Sequence, residues 1–222
     1  MRVLIGCEYS GTVRDAFTRL GHYAVSCDIL PTETPGNHFQ GDLKEIVKYQ
    51  WDLLIAFPPC TYLTVAGIHK TIRGLRDEQL TEDALHFVLY LYNLPIKHIA
   101  IENPVGVLST WFRKPDQLIN PFNFGHTTRK RTCLWLKNLP PLQPTHERTP
   151  EAPCHIDSTT GKKRYSLDML PRNTNRGHTR SKTFQGIADA MAFQWSDYIL
   201  RTKVQQQQTE NKQCINEQNS TQ

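Results

Sequence analysis

Residues 52–60 read DLLIAFPPC, and within residues 51–57 the run is almost continuously apolar. A stretch this short, apolar on both alternations, suits a strand buried on both faces of a parallel sheet. The paired prolines Pro58 and Pro59 donate no backbone hydrogen bond, so they end the strand and hold Cys60 on a stiff turn at its carboxyl end.

Working outward, the same pattern recurs. Arg2–Gly6 is a strand candidate followed by a Ser10-Gly11 turn and an amphipathic helix over residues 12–20, with Gly21 as its C-cap. Tyr23–Asp28 is a second strand with Asp28 at its end. Residues 98–101 form another, halting at Glu102-Asn103-Pro104, and residues 132–136 a further one, entered from a basic stretch. Residues 77–92 carry Leu80, Ala84, Leu85, Val88 and Leu91 at helical spacing, and residues 184–200 return to the same period. Alternation of strands and helices predicts an α/β fold, a mostly parallel sheet flanked by helices. Ligands of such sheets gather at the carboxyl ends of the strands. Cys7, Glu8, Asp28, Cys60 and Glu102 all fall at or just past such ends.

The 222 residues are 38% hydrophobic, which suits one main soluble domain. No apolar run approaches the ~20 residues that cross a bilayer, and the start lacks a secretory pattern, so an intracellular protein without membrane partners is expected. Six cysteines without CxxC pairs point to reduced thiols. Residues 138–178, rich in proline, threonine and basic side chains, read as an irregular insert. Residues 203–222, rich in glutamine and asparagine, read as a disordered tail. The domain expected is therefore residues 1–202. The net charge of +5 is concentrated in the later half, with Lys162, Lys163, Arg164, Arg172, Arg176 and Arg180 available either as a solvated surface or as phosphate contacts. His146, Cys154, His155 and His178 fit no standard zinc spacing and are read as polar loop residues, so no metal is expected. Residues 64–75, with Gly67 and Gly74, are expected to form a mobile loop that orders over substrate.

Cys60, Glu102-Asn103 and Arg129-Lys130-Arg131 each adjoin a strand, and together they resemble three motifs of the carbon-5 DNA cytosine methyltransferases, particularly compact phage and prophage members. Residues 59–64 (PCTYLT) are similar to Pro-Cys-Gln-x-Phe-Ser, Glu102-Asn103-Pro104 to Glu-Asn-Val, and residues 127–131 (TTRKR) to Gln-x-Arg-x-Arg in its two arginines. The resemblance implies a Rossmann-like S-adenosylmethionine-dependent methyltransferase fold with a reduced target-recognition region. It assigns the nucleophile to Cys60, the acid to Glu102 and the contact to the base's 2-oxo group to Arg129, supported by Arg131. Such a set suits cytosine, whose carbon 5 becomes nucleophilic only after a thiolate adds at carbon 6.

The same resemblance places S-adenosylmethionine at residues 7–11 (CEYSG), with Cys7, Glu8, Ser10 and Gly11 as contacts beside Pro58. Asp28 would bind the ribose hydroxyls and Asp42 of Gly41-Asp42 the adenine amino group. The resemblance covers residues 2–136 and 180–200. Where full-length relatives carry a base-reading domain, only about 40 irregular residues stand here. DNA is the partner implied. A free cytosine nucleotide handled by the same chemistry and a non-catalytic nucleic-acid-binding relative are the alternatives.

Overall fold

A computed structural model describes the backbone of residues 1–171 and 175–219, and the side chains of these except Ala66, Asn175, Arg176 and residues 210–219. Seven strands form one sheet: β1 (Arg2–Gly6), β2 (Tyr23–Asp28), β3 (His38–Gln40), β4 (Leu53–Ala56), β5 (His98–Pro104), β6 (Gln117–Ile119) and β7 (Thr132–Lys137). Their order is β3-β2-β1-β4-β5-β7-β6. All neighbours are parallel except β7, which runs antiparallel to both β5 and β6.

The helices explain why the central strands are apolar throughout. On one face α1 (Thr12–Arg19) and α7 (Gln185–Asn219) cover the sheet, and Val3, Ile5, Phe17, Leu134, Met191 and Trp195 share one core. On the other, α2 (Leu43–Ile46) and α4 (Gln79–Tyr92) help bury Leu4, Leu54, Val88, Ile101 and Trp135. Both faces of β4 are thus shielded, and all four of its residues are buried. Leu53, Leu54 and Ile55 each stabilise the fold by ~1.5–3 kcal/mol. The two buried indoles also satisfy their N–H groups, Trp195 donating to the Pro140 carbonyl at 3.0 Å and Trp135 to that of Arg113 at 2.8 Å.

Arg14 is a buried cation that organises the loops beyond β1 and β2. From α1 its guanidinium pairs with Asp15 at 2.8 Å and donates to Ser26, Thr32, Thr34 and the Pro35 carbonyl, pinning the loop after β2. Gly11 caps this helix at φ 75°, and a Cβ there would lie 2.2 Å from the Thr34 hydroxyl. Gly106, after β5, passes so close to the turn after Cys60 that a Cβ would lie 2.0 Å from the Leu63 carbonyl.

Three expectations are corrected. Residues 64–75 are not a loop: Thr64 accepts a hydrogen bond from the Gly67 amide at 3.0 Å and caps helix α3 (Val65–Ile72). The glutamine-rich tail continues as helix to Asn219. Gln, Lys and Glu are good helix formers, and extending an existing helix avoids the nucleation cost. Lys203 to Asp52 at 2.6 Å and Lys97 to Gln206 at 3.1 Å also tie it to the body. The insert is not wholly irregular. It holds a small hairpin, β8 (His155–Ile156) against β9 (Lys163–Arg164), and its end overlaps α6 (Asn175–Ser181). One more short helix, α5 (Leu108–Trp111), follows β5.

Candidate active site

A cleft of about 470 Å³ opens at the carboxyl ends of β1, β4 and β5. Cys7 and Tyr9 enter it from the turn after β1, Pro58 and Cys60 from β4, Glu102 from β5, and Arg129, Lys130 and Arg131 from the approach to β7. Arg180 and Lys182 close it from α6 and the segment beyond. A larger hollow of about 640 Å³ lies at the opposite end of the sheet. Its carboxylate, Asp52, is already bonded to Lys203 at 2.6 Å and to the Arg2 amide at 2.7 Å, and no thiol lines it.

Cys60 is exposed, on a turn in which its carbonyl accepts from the Leu63 and Thr64 amides. The buried Asn103 side chain holds that turn, its amide donating to the Pro58 carbonyl at 2.9 Å. Crowding by neighbouring atoms raises the thiol's pKa, and so does the charge of Glu102, while the Cys60 amide, Lys130 and Arg180 pull it down. Glu102 is partly buried. Loss of hydration pushes its carboxyl above the ordinary value, against smaller opposing effects of Lys130 and the Thr132 hydroxyl. Glu102 therefore keeps its proton to higher pH than a solvated glutamate, as suits a hydrogen-bond donor to a ring nitrogen.

The turn after β1 departs from the sequence expectation. The Glu8 carboxylate accepts from the Val13 amide at 2.7 Å, the Arg14 amide at 3.3 Å and the Ser10 hydroxyl at 3.2 Å. The amino end of α1, where dinucleotide folds bind phosphate, is thus filled by the chain's own carboxylate. Glu8 and Ser10 line the cleft but serve as an internal cap. Cys7 takes a left-handed conformation (φ 57°), and burial with the charges of Asp28, Cys27 and Asp42 pushes its thiol up to about 12. Asp28 accepts from the Leu30 amide at 3.0 Å, and Asp42 caps α2 by accepting from Lys44 at 2.9 Å. Both stand beside Cys7 at the strand ends, next to the cleft rather than in its wall.

Arg129, expected over the base, is exposed and turned toward the insert. Its guanidinium lies over Tyr165 at 5.2 Å and Phe122 at 5.6 Å, and Nε donates to the Glu151 carbonyl. Arg131 is also exposed and acts on Cys133. Of the basic insert residues, Lys162 and Lys163 are exposed on the hairpin, and Arg164 is partly buried. Arg180 belongs to the cleft wall, its guanidinium donating to the Leu167 carbonyl at 2.6 Å. Arg172 lies outside the described residues, as does the Arg176 side chain.

Sequence reasoning missed the strap that closes the cleft. Glu33 pairs with Lys182 at 2.7 Å and with His178, and the Tyr9 hydroxyl bonds Ser181 at 2.8 Å. The available signal was one acid in the loop after β2 facing a basic segment far along the chain. Among the described residues no three His, Cys, Asp or Glu side chains converge as metal ligands.

No family description and no curated protein matches the sequence. Among solved structures the chain is similar to what is described as a DNA modification methyltransferase encoded within an E. coli prophage, at 15% identity over 67% of this chain and 52% of that one, TM-score 0.45. It is similar to the methyltransferase EhMeth of Entamoeba histolytica, at 17% identity over 67% and 57%, TM-score 0.47. It is similar also to the Dnmt2 methyltransferase of S. pombe, at 15% identity over 78% and 60%, TM-score 0.41. The matches span 52–60% of those chains. The strand order itself, with a reversed β7 between β5 and β6, is that of the Rossmann-like S-adenosylmethionine-dependent methyltransferase fold.

Proposed function

We propose that the chain methylates carbon 5 of cytosine in DNA, as a compact member of the carbon-5 cytosine methyltransferases. The observation that carries this reading is the meeting of Cys60, a proton-retaining Glu102 and a cationic wall in one cleft at the strand ends.

The cofactor end fits S-adenosylmethionine. Asp28 and Asp42 supply carboxylates beside Cys7, suited to hydroxyl and amino groups, and the Glu8 cap leaves no phosphate site at α1. When bound, the cofactor supplies a methyl group on a positively charged sulfur. The chain's own residues do the rest. The Cys60 thiolate adds to carbon 6 while Glu102 gives its proton to ring nitrogen 3, leaving electron density on carbon 5. After carbon 5 has taken the methyl group, its proton passes to water, the Cys60–carbon 6 bond breaks, and nitrogen 3 releases the proton it received. The Glu33 strap limits water entry meanwhile.

A second reading is methylation of a free cytosine nucleotide, favoured by the strap across the cleft mouth and the small insert. Labelled S-adenosylmethionine incubated separately with duplex DNA, single-stranded DNA and deoxycytidine monophosphate decides between them. Label at cytosine carbon 5 of DNA is expected. Label in the mononucleotide alone selects the second reading, and label in none of the three overturns both.

A further inference from the structure

We infer that Lys130, the residue between the two arginines, is an electrostatic positioning residue shared by Cys60 and Glu102. The start of β7 and a small hollow place it. In β5 and β7, paired antiparallel, Glu102 stands opposite Leu134, so the two share a face of the sheet. Counting back by twos from Leu134 gives Thr132, the first residue of β7, on that same face, and Lys130, two residues before it, lines one small hollow with Glu102, Thr132 and Phe184. The surroundings agree. Leu134 belongs to the core under α1 and α7 and Cys133 to the opposite core, and the Thr132 hydroxyl donates to the Lys130 carbonyl at 3.3 Å.

Lys130 is partly buried between two exposed arginines. Its ammonium lies 5.9 Å from the Phe184 ring centre and donates to the Lys182 carbonyl at 3.4 Å, so it joins the strap to the catalytic wall. Arg129 is already held by Tyr165, Phe122 and Glu151. The charges that act on the Cys60 thiol are Glu102 from β5, Lys130 from the approach to β7 and Arg180 from α6, with Arg129, Arg131 and Lys182 lining the same cleft. Of the two cations acting on the thiol, Lys130 alone also acts on Glu102. A single ammonium thus favours the thiolate and tempers the rise in the carboxyl's pKa, keeping nucleophile and acid usable in the same pH range.

This assignment rests on the proposed role of Cys60, but its test does not need turnover. The pH dependence of Cys60 alkylation by iodoacetamide, followed by peptide mass spectrometry on the full chain without substrate, reports thiolate formation. Lys130→Met is expected to slow Cys60 labelling at pH 8 by about threefold or more and to move its pH profile upward. Lys130→Arg is expected to restore the parent profile, which a purely structural loss would not allow. An unchanged profile in Lys130→Met, or an equal displacement in Arg129→Met, overturns the inference. Failure of the methylation reading would show separately, as absence of labelled product in the parent whatever its alkylation profile.

Discussion

The two halves of the cleft hold the same kind of residue in opposite surroundings. Cys7 and Cys60 each follow a central parallel strand. Desolvation first, and then the charges of Asp28, Cys27 and Asp42, push the Cys7 thiol up to about 12. Cys60 is exposed; desolvation and the Glu102 charge raise its thiol too, but its own amide, Lys130 and Arg180 pull against that rise. One half is an acidic seat suited to a cationic cofactor. The other is a cationic seat suited to a base that accumulates electrons and to its phosphate. Strand-end placement nominates a cysteine, and the charges around it decide whether that cysteine can react.

The comparison breaks most sharply at Cys60. Cys60→Ser is expected to lower methyl transfer by roughly a thousandfold or more, because a hydroxyl is far less ionised than a thiol, while cofactor affinity stays within a few-fold. Retention of most activity in a single-turnover assay would end the covalent account.

Glu102 comes next, with an expected loss of about a hundredfold in Glu102→Gln. Its stability should move the other way. The folded-state pKa lies above 4.5, so the folded chain holds this proton more tightly than the unfolded chain does. Stability is therefore lost as pH rises from about 4.5 through the raised value. Glutamine stays neutral, so the variant should melt above the parent at pH 8 and close to it near pH 4. A melting point below the parent at pH 8 would contradict the desolvation of Glu102.

The insert tests the cationic half at longer range. If Lys162 and Lys163 touch DNA phosphates, Lys162→Gln with Lys163→Gln should reduce the slope of log affinity against log salt by about 0.9 for each duplex phosphate that is no longer neutralised. An unchanged slope would remove the hairpin as a clamp. The smallest effect is expected at the strap. Surface ion pairs contribute about 0–1 kcal/mol each, so Glu33→Gln should weaken cofactor binding no more than about fivefold and quicken proteolysis within residues 177–183. Unaltered protease sensitivity would show that Glu33 does not hold the strap.

The fold was legible wherever burial imposed a pattern. β1, β2, β4, β5 and β7 are covered on both faces, and their apolar runs announced them. β3 and β6 have three residues each at the sheet's edges, too few to show an apolar run or an alternation, so nothing in the pattern marked them. At the site, Cys60 and Glu102 were readable as strand ends. The cap role of Glu8 was not legible, because a carboxylate after a strand suits a ligand contact and a helix cap equally, and only its bonds from the Val13 and Arg14 amides reveal the cap. Lys130 was passed over beside two motif arginines, because it lies before β7 begins and no strand alternation reaches it.

The central claim is a bond between Cys60 and carbon 6 of cytosine. It is tested most directly by intact-mass and peptide analysis of the full chain after incubation with S-adenosylmethionine and a cytosine bearing fluorine at carbon 5, offered in duplex DNA and as the monophosphate. Fluorine cannot leave as the proton does, so the adduct should persist. The account predicts a mass gain equal to the substrate plus one methyl group, mapped to Cys60 and absent from Cys60→Ser. A cross-link at another residue, or methylation of normal cytosine with no adduct to the fluorinated one, would contradict it.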